Sequence, residues 1–163
     1  MSELNPDHRK KRISVSRVRC DELLRLLVER AREVNDGDVY SYIVARLTVF
    51  GSYLSKKEKL GDLDVAVDLK QRYGRTNAQT QADNRRRSER TTRPRDMVDE
   101  AFWPQIEVKQ FLRGRSTAIS LHEMWELEVL CKEFPETRFK VIFEDLKYSA
   151  RDVTAEAFQG DGE

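Results

Sequence analysis

Two β-prone runs, LTVF at 47–50 and LDVAVDL at 63–69, are separated by Gly51-Ser52 and a polar nine-residue link, YLSKKEKLG. This punctuation constrains the chain more than any other feature. An apolar strand must stop at Gly51-Ser52, and a second must open on Asp62-Leu63-Asp64. Side chains alternate along a strand, so Asp62 and Asp64 share one face while Leu63 and Val65 share the other. Two carboxylates one pleat apart repel each other, which raises one pKa unless a cation or a base neutralises the pair. Mg²⁺, a hard ion that prefers carboxylate and phosphate oxygens, suits such a pair. Gly51 lets the backbone approach a phosphate, and the Ser52 hydroxyl with neighbouring N–H groups can cradle it. The plain alternative is an ordinary turn and two solvated acids at a strand edge. The ordered combination of strand, Gly-Ser, link, Asp-x-Asp and strand favours the site.

The rest of the chain supplies mixed elements. DELLRLLVERAREV at 21–34 carries Leu23, Leu24, Leu27, Ala31 and Val34 at helical spacing, and Asn35-Asp36-Gly37 stops it. Residues 39–50 are rich in Val, Ile, Tyr and Thr, and LTVF at their end reads as a short apolar strand. From 70 to 95 there is almost no large aliphatic residue, so this stretch is expected to be a mobile loop that buries too little to offset its ordering entropy. A helix is expected from Pro94 to about Phe102, a strand over QIEVKQFL at 105–112, and a turn at Arg113-Gly114-Arg115. Ser120 and Glu123 have capping-box spacing for a helix over 121–132, closed by Pro135, and RFKVIFE at 138–144 reads as the last strand. Trp103 and Trp125 are read as packing residues and His122 as structural or exposed. The expected fold class is α/β of the α+β type: a small mixed β-sheet flanked by helices in one domain over 21–148. A basic arm at 1–20 precedes it and a flexible acidic tail at 149–163 follows.

Charge decides where partners could bind. The 163 residues carry a net charge of only +1, but residues 1–19 balance at +4 and residues 71–95, with eight arginines, at +6. The remainder therefore stands at −9. The arginine-rich stretch suits contact with the phosphates of a nucleic acid or a nucleotide, or with an acidic protein patch. Its one aromatic, Tyr73, is too few for a single-strand stacking platform. Cys20, Cys131, His8 and His122 have no zinc-site spacing, and no run reaches the roughly 18 to 20 apolar residues of a membrane helix. A cytoplasmic protein without membrane contact is expected.

The segment Phe50-Gly51-Ser52 followed by Asp62-Leu63-Asp64 resembles the minimal, single-domain nucleotidyltransferases of the DNA polymerase β superfamily. The resemblance covers residues 47–69. It implies a palm-like nucleotidyltransferase fold, two Mg²⁺ ions held by three acids, and a nucleoside triphosphate, ATP first, whose phosphates lie at Gly51-Ser52. A nucleoside monophosphate would pass to a hydroxyl acceptor on protein or RNA, with pyrophosphate leaving. Minimal members of the family act as antitoxins that modify a partner toxin. For the third acid the reading selects Glu107, an acid among apolar residues; Asp68 is the competitor, and Glu144 and Asp145 are weaker candidates. Lys57, Arg113 and Arg115 are assigned to the nucleotide, with Lys56 and Lys59 nearby. The alternative reading is a catalytically inactive module of the same fold, binding nucleic acid or a protein through its basic arm and arginine-rich loop.

Overall fold

The computed structural model describes residues 14–90 and 96–147. In chain order its elements are β1 (Val15–Ser16), α1 (Arg17–Asp36), β2 (Tyr42–Phe50), a short 3₁₀ turn (Gly51–Leu54), β3 (Lys59–Leu60), β4 (Leu63–Gln71), α2 (Asn77–Arg90), α3 (Met97–Arg113), β5 (Ile119–Glu123), α4 (Met124–Glu133) and β6 (Phe139–Glu144). The class is mixed α and β, as expected. A four-stranded sheet has the order β5-β4-β2-β6, and β1 pairs with β3 in a separate ribbon. β4 is antiparallel to β2 and parallel to β5. Parallel neighbours need a long crossover, which α2 and α3 provide.

Alternation assigns the two faces of the sheet. Leu47 and Val49 of β2 with Leu63, Val65 and Val67 of β4 form the main core, which Leu23, Leu27 and Val34 of α1 and Val108 and Leu112 of α3 complete. On the opposite face Phe50 and Ala66 meet Leu127 of α4. Asp62 and Asp64 belong to this second, thinly covered face.

Several boundaries differ from expectation. α1 starts at Arg17 because Ser16 Oγ accepts the Arg19 amide at 3.2 Å, and Val15 and Cys20 are buried, so only residues 1–13 of the expected arm lie outside the fold's described residues. The tail at 149–163 and residues 91–95, Pro94 among them, also lie outside them. The expected loop contains helix α2, ordered by charge rather than apolar burial: Asp83 and Arg87 are its buried residues. The expected strand at 105–112 is the second half of α3, which runs through Pro104. Trp103, Glu107, Val108 and Leu112 are buried along it at helical spacing. The segment at 119–123 is strand β5, and the capping box is formed by Glu123 and Glu126, not by Ser120 and Glu123. Trp103 is in the core, whereas Trp125 is exposed.

Candidate active site

The antiparallel register of β2 and β4 sets Phe50 opposite Asp64. The chain then leaves the sheet through Gly51 at φ +73°, and a Cβ built there would lie 2.9 Å from Asp64 Oδ2. Any other residue would be held in a left-handed conformation and would displace the carboxylate. The Gly-Ser turn and the acids, ten residues or more apart in sequence, therefore form one local structure. Arg17 holds the following link: its Nη1 donates to the Tyr53 carbonyl at 3.0 Å and its Nε to the Lys57 carbonyl at 3.1 Å. Tyr53 Oη donates to Asp21 at 2.5 Å, and the phenol is pushed up to about 12, first by burial and then by that carboxylate.

Strand β5 supplies the remaining neighbours. Ser120 pairs with Asp64 and His122 with Ala66 in the parallel register, so Ser120 and His122 face the same way as the acids. Ser120 Oγ donates to Asp62 Oδ2 at 2.6 Å, and His122 Nε2 lies 3.0 Å from Asp64 Oδ1. The imidazole stands edge-on to Phe50 with ring centres 5.2 Å apart. Burial holds the Asp64 carboxyl above its usual range; the His122 hydrogen bond opposes this and the Asp62 charge adds to it. Among the described residues no lysine or arginine pairs with Asp62 or Asp64. An open groove of about 640 Å³ runs from Ser120 and His122 along the outer side of β5 to Lys109 and Arg113 of α3.

Other candidate residues fall elsewhere. Glu107, on helix rather than strand, is 1% exposed and bound by Arg86, whose Nε donates to Oε1 at 2.8 Å and whose Nη2 donates to Oε2 at 3.2 Å. Among the described residues no three His, Cys, Asp or Glu side chains gather closely enough to hold a metal ion together. Asp68 is four residues along β4 from Asp64, roughly 13 Å away. Glu144 pairs with Arg46 at 2.8 Å, and Asp145 accepts from Asn35 at 2.8 Å. Lys56, Lys57, Lys59, Arg113 and Arg115 are exposed, and Arg115 follows Gly114, which ends α3 at φ +59°.

No protein-family model, curated protein or solved structure matches the chain. Among the described residues no helix is long and apolar enough to cross a membrane.

Sequence reasoning missed Ser120 and His122 as site residues. Their signal is the alternation Ile119-Ser120-Leu121-His122, which has the same two-residue period as Asp62-Leu63-Asp64. Ser120 had an equally good local reading as a helix cap.

Of the six arginines of the basic stretch that are among the described residues, four are turned inward. Arg72 Nη2 donates to Val34 O at 2.6 Å and its Nε to Tyr40 O at 2.8 Å, closing the end of α1. Arg75 donates to Ser41 Oγ at 2.9 Å and pairs with Asp83 at 3.1 Å; Arg86 joins Asp83 to Glu107. Arg87 is buried with its guanidinium 5.9 Å from the centre of the Trp103 ring.

Proposed function

We propose that the protein is a Mg²⁺-dependent nucleotidyltransferase of the polymerase β type, acting in the cytosol. It transfers a nucleoside monophosphate from an NTP to a hydroxyl on a protein, such as a partner toxin, or on RNA. The observation that carries this reading is the contact between the Gly51 turn and Asp64, with Asp62 immediately before β4 and held by Ser120, the β5 residue paired with Asp64. A turn that favours glycine, set against an acid pair with no lysine or arginine partner among the described residues, suits a phosphate and the cation that would accompany it.

The donor set fits one hard divalent ion. Mg²⁺ is commonly bound by one or two carboxylates, with substrate phosphates and water as its other ligands. Asp62 and Asp64 supply the two; a second ion would need a ligand other than Glu107, whose carboxylate Arg86 occupies. When bound, Mg²⁺ neutralises phosphate charge and lowers the pKa of an acceptor hydroxyl. The chain's own residues orient the reactants. Ser120 fixes the rotamer of Asp62, while His122, braced by Phe50, fixes that of Asp64. Gly51 and Ser52 leave room for the triphosphate, with Lys57, Arg113 and Arg115 as its cationic contacts. Arg113 shares a groove with Ser120 and His122, which supports its role.

The inactive-module reading is favoured by one observation, the lack of a third metal-binding side chain beside the pair among the described residues. It is weakened by another, because four arginines of the basic stretch are engaged within the fold. Incubation with α-labelled NTPs, RNA or cell lysate, and Mg²⁺ separates the two. The transferase labels an acceptor and EDTA abolishes the label. An unlabelled acceptor pool, together with metal-independent RNA binding that weakens steeply with salt, would establish the module instead.

A further inference from the structure

The sheet face that carries the acids is covered only in part. Beside the contact of Leu127 with Phe50 and Ala66, a groove of about 400 Å³ opens between α4 and strands β2 and β6. Met124, Leu127 and Cys131 of α4 form one wall, and Phe139 and Val141 of β6 the other. Arg46 and Thr48 of β2 lie between them, two residues apart and therefore on one face, roughly 7 Å from each other.

Both carry a buried polar atom that has no hydrogen-bond partner among the described residues: Thr48 Oγ1, in a residue only 2% exposed, and Arg46 Nε. Buried polar groups are almost always satisfied, so two neighbouring orphans on the floor of one groove point to an absent acceptor. Arg46 Nη2 is held by Glu144 at 2.8 Å, which fixes the guanidinium and leaves Nε as a preset donor. At the rim, Glu128 and Lys132 lie one helical turn apart on α4. Two donors, one of them charged, thus lie just beneath the lining of an apolar trough of the size that takes small molecules, where a shift of the partly exposed Arg46 side chain would bring them to an occupant.

We propose that this groove binds a small carboxylate with an apolar body, a medium-chain or single-ring acid. The carboxylate accepts from Arg46 Nε and Thr48 Oγ1 while the body lies against Leu127, Cys131, Phe139 and Val141. Hydrogen bonds to an ionised oxygen are the stronger kind, which sets such an acid above the corresponding alcohol. The inference does not depend on the nucleotidyltransferase reading, because none of these residues is assigned to the reaction.

The test titrates the full chain with sodium decanoate, below its micelle-forming concentration, and with 1-decanol as the uncharged control, followed by NMR. Decanoate should give saturable shifts confined to Thr48, Arg46 and the methyl groups of Met124 and Leu127, with affinity about tenfold above that of decanol. Thr48→Val and Arg46→Gln should each weaken decanoate by about tenfold and leave decanol unchanged. Should Thr48→Val disturb the fold, the partly exposed Arg46→Gln variant gives the same reading. Shifts that spread or fail to saturate, equal affinity for acid and alcohol, or unaltered binding by the folded variants would each overturn the proposal.

Discussion

The molecule holds two pairs of acids in opposite circumstances. Asp83 and Glu107, between α2 and α3, are buried and met by Arg75 and Arg86, so their charge is compensated within the fold. Asp62 and Asp64, at the start of β4, are only partly buried and are met by a hydroxyl and an imidazole. The first pair is where ions hold a helix in position. The second keeps a local excess of negative charge beside a glycine turn, as the proposed metal site requires. What separates structural from chemical acids is thus the identity of their partners rather than their burial: the more deeply buried Glu107 is the less available.

Four outcomes can break or sharpen that contrast. The largest concerns the open pair. Replacing both Asp62 and Asp64 by Asn should reduce nucleotidyl transfer by about a thousandfold, as expected for loss of the charge that positions metal and phosphate, while far-UV circular dichroism stays unchanged. Transfer retained within a few-fold would dissolve the contrast. Next comes the closed pair. Glu107→Ala removes one of the two acids that Arg86 joins, leaving Asp83 as its remaining partner, and should cost about 2 to 3 kcal/mol in urea unfolding, with transfer per folded molecule nearly unaltered. A folded Glu107→Ala protein without activity would return Glu107 to the site.

A smaller effect is expected at the turn. Gly51→Ala must hold alanine at φ +73°, a strain of about 1 to 2 kcal/mol, and must push aside the Asp64 carboxylate. Activity should therefore fall more than the melting temperature suggests. The smallest effect is one of sign. Asp64 has a folded pKa raised by burial, so its stabilising contribution is complete below the unfolded carboxyl pKa of about 3.9 and is lost as pH rises through the folded value. Asp64→Asn should accordingly be more stable relative to the parent at pH 7 than at pH 3.5 in parallel thermal melts. The opposite order would mean that His122 compensates the charge fully.

The central strands, α1 and the last strand were legible in the sequence because apolar periodicity carries them. Helix α2 was not, since its buried side chains are Asp83 and Arg87 and a hydrophobicity pattern counts both as solvent-facing. α3 was divided in two by Pro104 and by the apparent alternation Ile106-Glu107-Val108. The helical stripe Trp103, Glu107, Val108, Leu112 becomes visible only if an acid is admitted to a core face. At the candidate site the residues close in sequence were readable and the distant ones were not. Gly51, Asp62 and Asp64 announce themselves within one short motif. Ser120 and His122 depend on a parallel pairing that no local pattern specifies.

That pairing has a consequence for assembly. Ser120 and His122 each lie 58 residues beyond the acid they touch, and β5 can dock on β4 only once the intervening chain has been made and has crossed over. Contacts of such sequence separation are slow to form, because loop-closure entropy is spent before they contribute. A chain emerging from the ribosome would carry Gly51, Asp62 and Asp64 well before it could orient them, so competence for chemistry would be among the last properties the newborn protein acquires.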